Sequence, residues 1–269
     1  MAKVALTALL VAGLLYLAAA ALLFGFQRRL IYPAPTRVFT LADRSSGFRD
    51  VRVRTEDGLT LRALYRPATG GRPVLVFFHG NGDGLGGAIV ATRAFADSGY
   101  GLMLPEYRGY GGNPGAPSEA GLYRDGEAAL RWLAGEGVPV GGVVLVGNSL
   151  GSGVATELAA RHRVRALALI SGFTSLADVA AAKMRAFPVR PLLRDRYDNA
   201  AKLPRVAAPV LALHGTADTL IPPAHGVALA RAAMRGRLDL VPEVGHELAY
   251  LPDAQKTALR WLRSLETQD

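Results

Sequence analysis

Along this chain the most extreme hydrophobic patterning comes first. From Val4 to Phe26, 23 consecutive residues carry no charge, and most are Leu, Ala or Val. About 20 such residues in a helix span the hydrocarbon core of a bilayer. The pattern therefore predicts one N-terminal transmembrane helix, with residues 1–29 as a membrane anchor and residues 30–269 as the domain it carries. Small residues at positions 18–21 suit a signal-peptide cleavage site. Against cleavage, the apolar run continues through Leu22, Leu23, Phe24 and Phe26, beyond the ~7–15 residues of a signal core. An uncleaved anchor is the favoured reading. Lys3 on one side against Arg28, Arg29 and Arg37 on the other puts the domain on the cytoplasmic side by the positive-inside rule.

Residues 30–50, with Pro33 and Pro35, read as a connecting segment over the edge of the domain. Val51 and Val53, then Leu59, Leu61 and Ala63 after a turn at Gly58, alternate with polar neighbours as a pair of antiparallel strands does. Beyond Pro73 the pattern changes. Short apolar runs at 74–78, 101–104, 143–146, 166–170, 210–213 and 238–241 are separated by helix-period stretches such as 88–96, 119–134 and 150–161. Continuous apolar strands alternating with helices define the α/β class, a mostly parallel central sheet with helices on both faces. In such sheets ligands bind beyond the carboxyl ends of the strands. Residues 171–208 contain no strand pattern and are expected to form a small cap over that end.

Candidate chemistry falls at those strand ends. The run 143–146 leads directly into Gly147, Asn148, Ser149, Leu150 and Gly151, a G-x-S-x-G pattern in the strand-to-helix context that presents a serine on a tight turn. The run 210–213 is followed by Asp218, and the run 238–241 by His246. The chain order Ser149, Asp218, His246 is that of α/β-hydrolases among enzymes with a catalytic triad. In that assignment His246 takes the proton of Ser149, and Asp218 fixes the imidazole tautomer. An oxyanion also needs backbone donors. The expected pair is the amide of Leu150, next to the nucleophile, and the amide of Asn81, in the loop after the run 74–78. The side chains of His79 and Asn81 are expected to brace that loop.

Composition narrows the field. The formal net charge is +9, but only four of the 31 basic residues are lysines and the arginines are dispersed. Without a basic run interleaved with aromatics, nucleic acid is not an expected partner. A basic surface does suit anionic headgroups beside a membrane. The absence of cysteine excludes disulfides, a thiol nucleophile and thiolate metal sites. The five histidines show no metal-site spacing and no lysine ends a phosphate-loop motif, so no metal or other cofactor is expected, and no obligate protein partner is implied.

Further segments carry a resemblance: Gln27 to Pro33 (QRRLIYP), Phe78 to Gly82 (FHGNG), Glu106 to Gly111 (EYRGYG) followed by residues 117–121, the GNSLG elbow, Phe173 to Ser175, Leu213 to Asp218 (LHGTAD) with Ile221 and Pro222, and Gly245 with His246. In this order, over nearly the whole chain, they resemble the membrane-anchored α/β-hydrolases of the Bem46 type, related to the α/β-hydrolase-domain-containing 13 and 17 proteins. The resemblance implies the α/β-hydrolase fold and a serine hydrolase acting on esters, thioesters or amides. Relatives with a known role include protein depalmitoylases that depend on an N-terminal cysteine-rich segment, and this chain has no cysteine. Where the family often carries Asp before the YRGYG segment, this sequence has Glu106, a change expected to touch a structural contact.

Two other readings compete. Gly82, Gly84 and Gly87 satisfy G-x-G-x-x-G, with Glu106 about 20 residues on as a ribose acid, which would make a dinucleotide-binding oxidoreductase. Three residues intervene between the strand and that motif, where the fingerprint requires the first tight turn. A catalytically silent scaffold of the same fold is the other reading, although no member of the Ser149, Asp218, His246 set is missing. The substrate is expected to be a small or acylated, lipid-like molecule. Phe173, Met184 and Phe187, with Pro188 and Leu192, are candidates either for its acyl-side wall or for packing against the sheet.

Overall fold

The computed structural model describes residues 1–40 and 47–266; residues 41–46 of the expected connecting segment lie outside the described residues. In chain order the elements are α1 (Ala2–Ile31), β1 (Arg49–Arg54), β2 (Thr60–Arg66), β3 (Val74–Phe78), α2 (Leu85–Ala91), α3 (Arg93–Asp97), β4 (Gly101–Pro105), α4 (Glu119–Gly135), β5 (Val143–Asn148), α5 (Gly151–Arg161), β6 (Ala166–Ile170), α6 (Leu176–Lys183), α7 (Val189–Leu192), α8 (Asn199–Lys202), β7 (Val210–Gly215), α9 (Ala224–Ala232), β8 (Gly236–Val241) and α10 (Pro252–Glu266).

The strands form one eight-stranded sheet in the order β1-β2-β4-β3-β5-β6-β7-β8. β1 and β2 pair antiparallel, β2 runs antiparallel to β4, and every later pairing is parallel. The central strands are apolar throughout because both of their faces are covered. On β3, Val74, Val76 and Phe78 face one core, and Leu75 and Phe77 the other. The first core takes Leu122 and Leu133 of α4, Val154 and Leu158 of α5, and Leu229 of α9. The second takes Leu85 of α2, Phe95 of α3, and Trp261 and Leu262 of α10.

One expected helix is two. The stretch 88–96 is interrupted at Thr92, whose hydroxyl donates to the Ala88 carbonyl at 2.7 Å, a side-chain to backbone bond that competes with the helix ladder. Thr92 adopts φ −110° and ψ 6°, and the chain turns there from α2 into α3.

α1 extends past the apolar block to Ile31, and only part of it stands free. Its terminal half docks on the segment holding α6 and α7. The Tyr16 ring stacks on Phe187 with centroids 5.2 Å apart, and its hydroxyl donates to the Ala186 carbonyl at 2.9 Å. Gln27 is buried; its carbonyl oxygen accepts from the Arg194 amide at 2.7 Å. Arg28 makes a two-point ion pair with the buried Asp195, and the Tyr32 hydroxyl lies 2.9 Å from that of Tyr197.

Candidate active site

The carboxyl ends of β5 and β7, and the turn after β8, converge on one point. At the end of β5 the chain reverses into α5 through Ser149, whose φ of +50° lies in the left-handed region that non-glycine residues seldom occupy. Such a conformation persists only where the surroundings over-determine it. The Ser149 amide donates to the Ile170 carbonyl of the neighbouring strand at 2.9 Å. A Cβ at Gly151 would sit 2.0 Å from the Phe78 carbonyl oxygen, and one at Gly147 would sit 2.4 Å from the Gly151 carbonyl oxygen. Both glycines are therefore required for α5 to approach β3 and β5 this closely. Ser149 projects at the top of the turn and is 9% exposed.

Asp218 follows β7, its carboxylate sealed from solvent. One oxygen accepts from the amides of Leu220 and Ile221 at 3.0 and 2.9 Å. The other accepts from Nδ1–H of His246 at 2.7 Å. With Nδ1 donating, Nε2 of His246 is free to accept the Ser149 hydroxyl, 2.9 Å away. The structure thus brings Ser149, His246 and Asp218 into one hydrogen-bonded chain. Beneath it His214, which is buried, donates from Nε2 to the Ile221 carbonyl at 2.8 Å. Burial pushes the His214 imidazolium down, against the opposing pull of its bond to Ile221 and of the Asp218 charge. A neutral His214 shores up the Asp218 turn without adding a competing positive charge.

The loop after β3 lies on the other side of Ser149. His79 is enclosed, with Nδ1 2.9 Å from the Gly80 carbonyl and Nε2 2.9 Å from Oε1 of Glu106. Burial disfavours the charged ring, but the hydrogen bond and charge of Glu106 outweigh it and the His79 pKa is raised. The Tyr107 hydroxyl donates to the His79 carbonyl and the Tyr110 hydroxyl to the Asn81 side-chain oxygen, at 3.0 and 3.1 Å. The side chains of His79 and Asn81 are thus tied into the loop's support. Among the described residues, neither the Asn81 amide nor the Leu150 amide donates to a backbone carbonyl.

Glu106 is engaged within the protein. It is buried, one oxygen bonded to His79 and the other accepting from the Leu85 amide at 3.2 Å. The glycines at 82, 84 and 87 precede or open the short α2, with Gly82 at φ +71° in the turn.

The apolar candidates of residues 171–208 lie in two places. Phe173 is 2% exposed and packs edge-on to Tyr197, part of the sheet-side core. Met184 and Phe187 line a groove whose opposite wall is α1. Sequence reasoning did not identify the partners of Glu106, the role of His214, or the docking of Tyr16 and Gln27. For Glu106 the available signal was its place just before the YRGYG segment.

The fold and this strand-end arrangement define a class. The α/β hydrolase fold family matches residues 73–208, and the chain belongs to it. An uncharacterised Mycobacterium tuberculosis protein is 40% identical over 260 residues, 94% of this chain and 90% of that one. Bem46 of Schizosaccharomyces pombe is 30% identical over 77% of this chain and 75% of its own length. The human α/β hydrolase domain-containing protein 17B is 32% identical over 68% of this chain and 63% of its own. Among solved structures, an esterase of Pyrococcus furiosus superposes with a TM-score of 0.70 at 16% identity, over 87% of this chain and 97% of that one. A bacterial membrane phospholipase A superposes with a TM-score of 0.65 at 17% identity, over 98% and 97% of the two chains.

Proposed function

We propose that this chain is a serine hydrolase that cleaves carboxylic ester or thioester bonds. The observation that carries the reading is the continuous bond chain from Ser149 Oγ through His246 to the buried Asp218, set on a strained strand-to-helix turn. Ser149 Oγ attacks the acyl carbon while His246 Nε2 takes its proton, and Asp218 holds the ring and stabilises the imidazolium. The tetrahedral oxyanion rests on the amides of Leu150 and Asn81, donors of a kind whose loss costs about 10²–10³ in rate. His246 then protonates the departing alcohol or thiol, leaving the acyl group on Ser149. Water attacks that acyl-enzyme, gives its proton to His246, and the carboxylic acid leaves as Ser149 regains its hydrogen.

Residues 30–269 form the catalytic domain in this reading, with 171–208 as its cap, and α1 is an uncleaved anchor holding the domain at the cytoplasmic face. The contacts from Tyr16 to the cap support retention of α1, because cleavage after residues 18–21 would discard them. The esterases and the membrane phospholipase A with this fold are consistent with ester chemistry on acylated substrates.

The test is labelling of the detergent-solubilised chain with a fluorophosphonate, alongside hydrolysis of a short ester, for wild type and Ser149→Ala. Wild type is expected to label and to turn over, and a folded Ser149→Ala to do neither. Retention of both by the variant would remove the assignment.

A further inference from the structure

The contact between α1 and the cap has a consequence for where the cap lies. Tyr16, Ala20, Leu23, Gln27 and Ile31 recur at three- and four-residue spacing on α1, one face of a helix. That face meets Ala180, Met184, Phe187 and Leu192 across a groove of about 110 Å³. The helix has 30 residues, about 45 Å at 1.5 Å per residue, so it exceeds the ~30 Å hydrocarbon core and part of it must protrude.

Lys3 sets one limit of the apolar block, and about 20 residues from Val4 reach Leu23. Tyr16 lies seven residues before Leu23, about 10 Å inside the near hydrocarbon boundary. Whatever is bound to Tyr16 shares its depth. The Ala186 carbonyl and the Phe187 ring are bound to it.

The composition of this stretch fits that position. Residues 183–196 hold five cations, Lys183, Arg185, Arg190, Arg194 and Arg196, of which Arg190 is paired with Asp178, and one anion, Asp195, which is paired with Arg28. Between the cations stand Met184, Phe187, Val189 and Leu192. Long basic side chains around an apolar tip are how an interfacial element keeps its charges at the headgroups. An anionic headgroup layer attracts each nearby Lys or Arg.

We propose that the loop between α6 and α7, with α7 itself, is a second membrane-contacting element, seated in the same anionic lipid leaflet that α1 crosses and flanking it. Its occupant is lipid: acyl chains of that leaflet cover Phe187, Leu192 and the groove beside α1. The Nζ of Lys183 at the end of α6 donates to the Thr219 carbonyl at 3.4 Å, next to Asp218, so this element adjoins the loop that carries the acid of the site. The inference rests on the anchor reading of α1.

The experiment uses the full chain in vesicles of phosphatidylcholine and phosphatidylglycerol. Because the protein contains no cysteine, the single variants Leu17→Cys, Ala186→Cys, Leu192→Cys and Asp97→Cys each take one spin label. Accessibility to oxygen is then compared with accessibility to a polar nickel complex. The expected result is oxygen-dominated relaxation at 17, 186 and 192, with the ratio several-fold above that at Asp97→Cys on the soluble side. A lipid-like label at 17 with aqueous labels at 186 and 192 would overturn the inference while leaving the anchor intact. An aqueous label at 17 would overturn the anchor and the inference together. Because positions 186 and 192 are exposed, the labels do not depend on repacking a core.

Discussion

His79 Nε2 and Glu106 Oε1 lie 2.9 Å apart with both side chains sealed from solvent, and the pair braces the loop after β3 that contains Asn81. The second His79 nitrogen faces the Gly80 carbonyl, and the Glu106 hydrogen bond and charge raise the His79 pKa against the effect of burial. Removing Glu106 takes away the partner of His79 and of the Leu85 amide. His79 can then shed its proton, so the loss is that of unsatisfied buried bonds, about 1–3 kcal/mol, and not of a stranded charge. Glu106→Ala is expected to lose stability of that order and Glu106→Gln less, since the amide still offers an oxygen to His79. Thermal unfolding gives the stability, and the fluorophosphonate labelling rate reports on the loop. If Glu106→Ala melted like wild type, the pair would have no structural weight.

Asp218 does two things that one substitution separates. Its Oδ1 holds the turn through Leu220 and Ile221, and its Oδ2 holds His246. In Asp218→Asn the remaining oxygen can keep the turn while the amide donates toward Nδ1, which forces the other imidazole tautomer and leaves Nε2 protonated against Ser149. Such a tautomer error lowers kcat by about 10⁴. The expected outcome is a fall of that order in ester hydrolysis with an unchanged melting temperature. A loss below tenfold would mean that Asp218 does not orient the ring.

These relationships differ in how far the sequence revealed them. Strands β3, β5, β6 and β7 were legible because burial on both faces makes each a short continuous apolar run, and the positions of Ser149 and Asp218 followed from being just beyond such runs, whereas His246 follows the half-exposed edge strand β8. The break at Thr92 was not legible, since it depends on a hydroxyl choosing the Ala88 carbonyl over solvent. Nor was the face of α1 that docks. Almost every residue from Val4 to Phe26 is apolar, so no polar side marks where the partner is. Met184 and Phe187 would read as apolar against a substrate, a sheet or a helix, and only the tertiary arrangement places them toward α1.

His214 and His79 are expected to bend the stability profile in opposite directions. Burial lowers the His214 pKa, so the unfolded chain binds its proton first as pH falls. The stability His214 contributes is full above the unfolded value near 6.5 and is lost as pH drops below it toward the folded value. His79 is raised, so its contribution is full below about 6.5 and fades as pH rises through the folded value. Melting curves of His214→Gln from pH 7.5 to 5 should therefore fall less steeply on acidification than those of wild type. Parallel curves would show that His214 titrates alike in both states.

The docking of α1 makes truncation position-dependent. Removing residues 1–21 takes away Tyr16 but keeps Gln27, whose oxygen accepts from the Arg194 amide, and Arg28, which pairs with Asp195. Removing residues 1–31 takes both. The Arg194 amide then loses its acceptor, and the Asp195 carboxylate, 4% exposed in the full chain, loses its paired cation. A buried charge stripped of its partner costs several kcal/mol where solvent cannot reach it. In the truncated chain water can enter the vacated side, which reduces that cost to about 1.5–3 kcal/mol, that of lost hydrogen bonds to a charged group. At roughly 2–4 °C per kcal/mol for a domain of this size, the longer deletion is expected to melt about 5–10 °C below the shorter one in the same detergent. Asp195→Asn in the longer deletion should recover part of the difference, because a neutral amide needs no cation. Equal melting temperatures for the two deletions would show that α1 is only a tether. The expected gap would show instead that its last turns are part of the domain they carry.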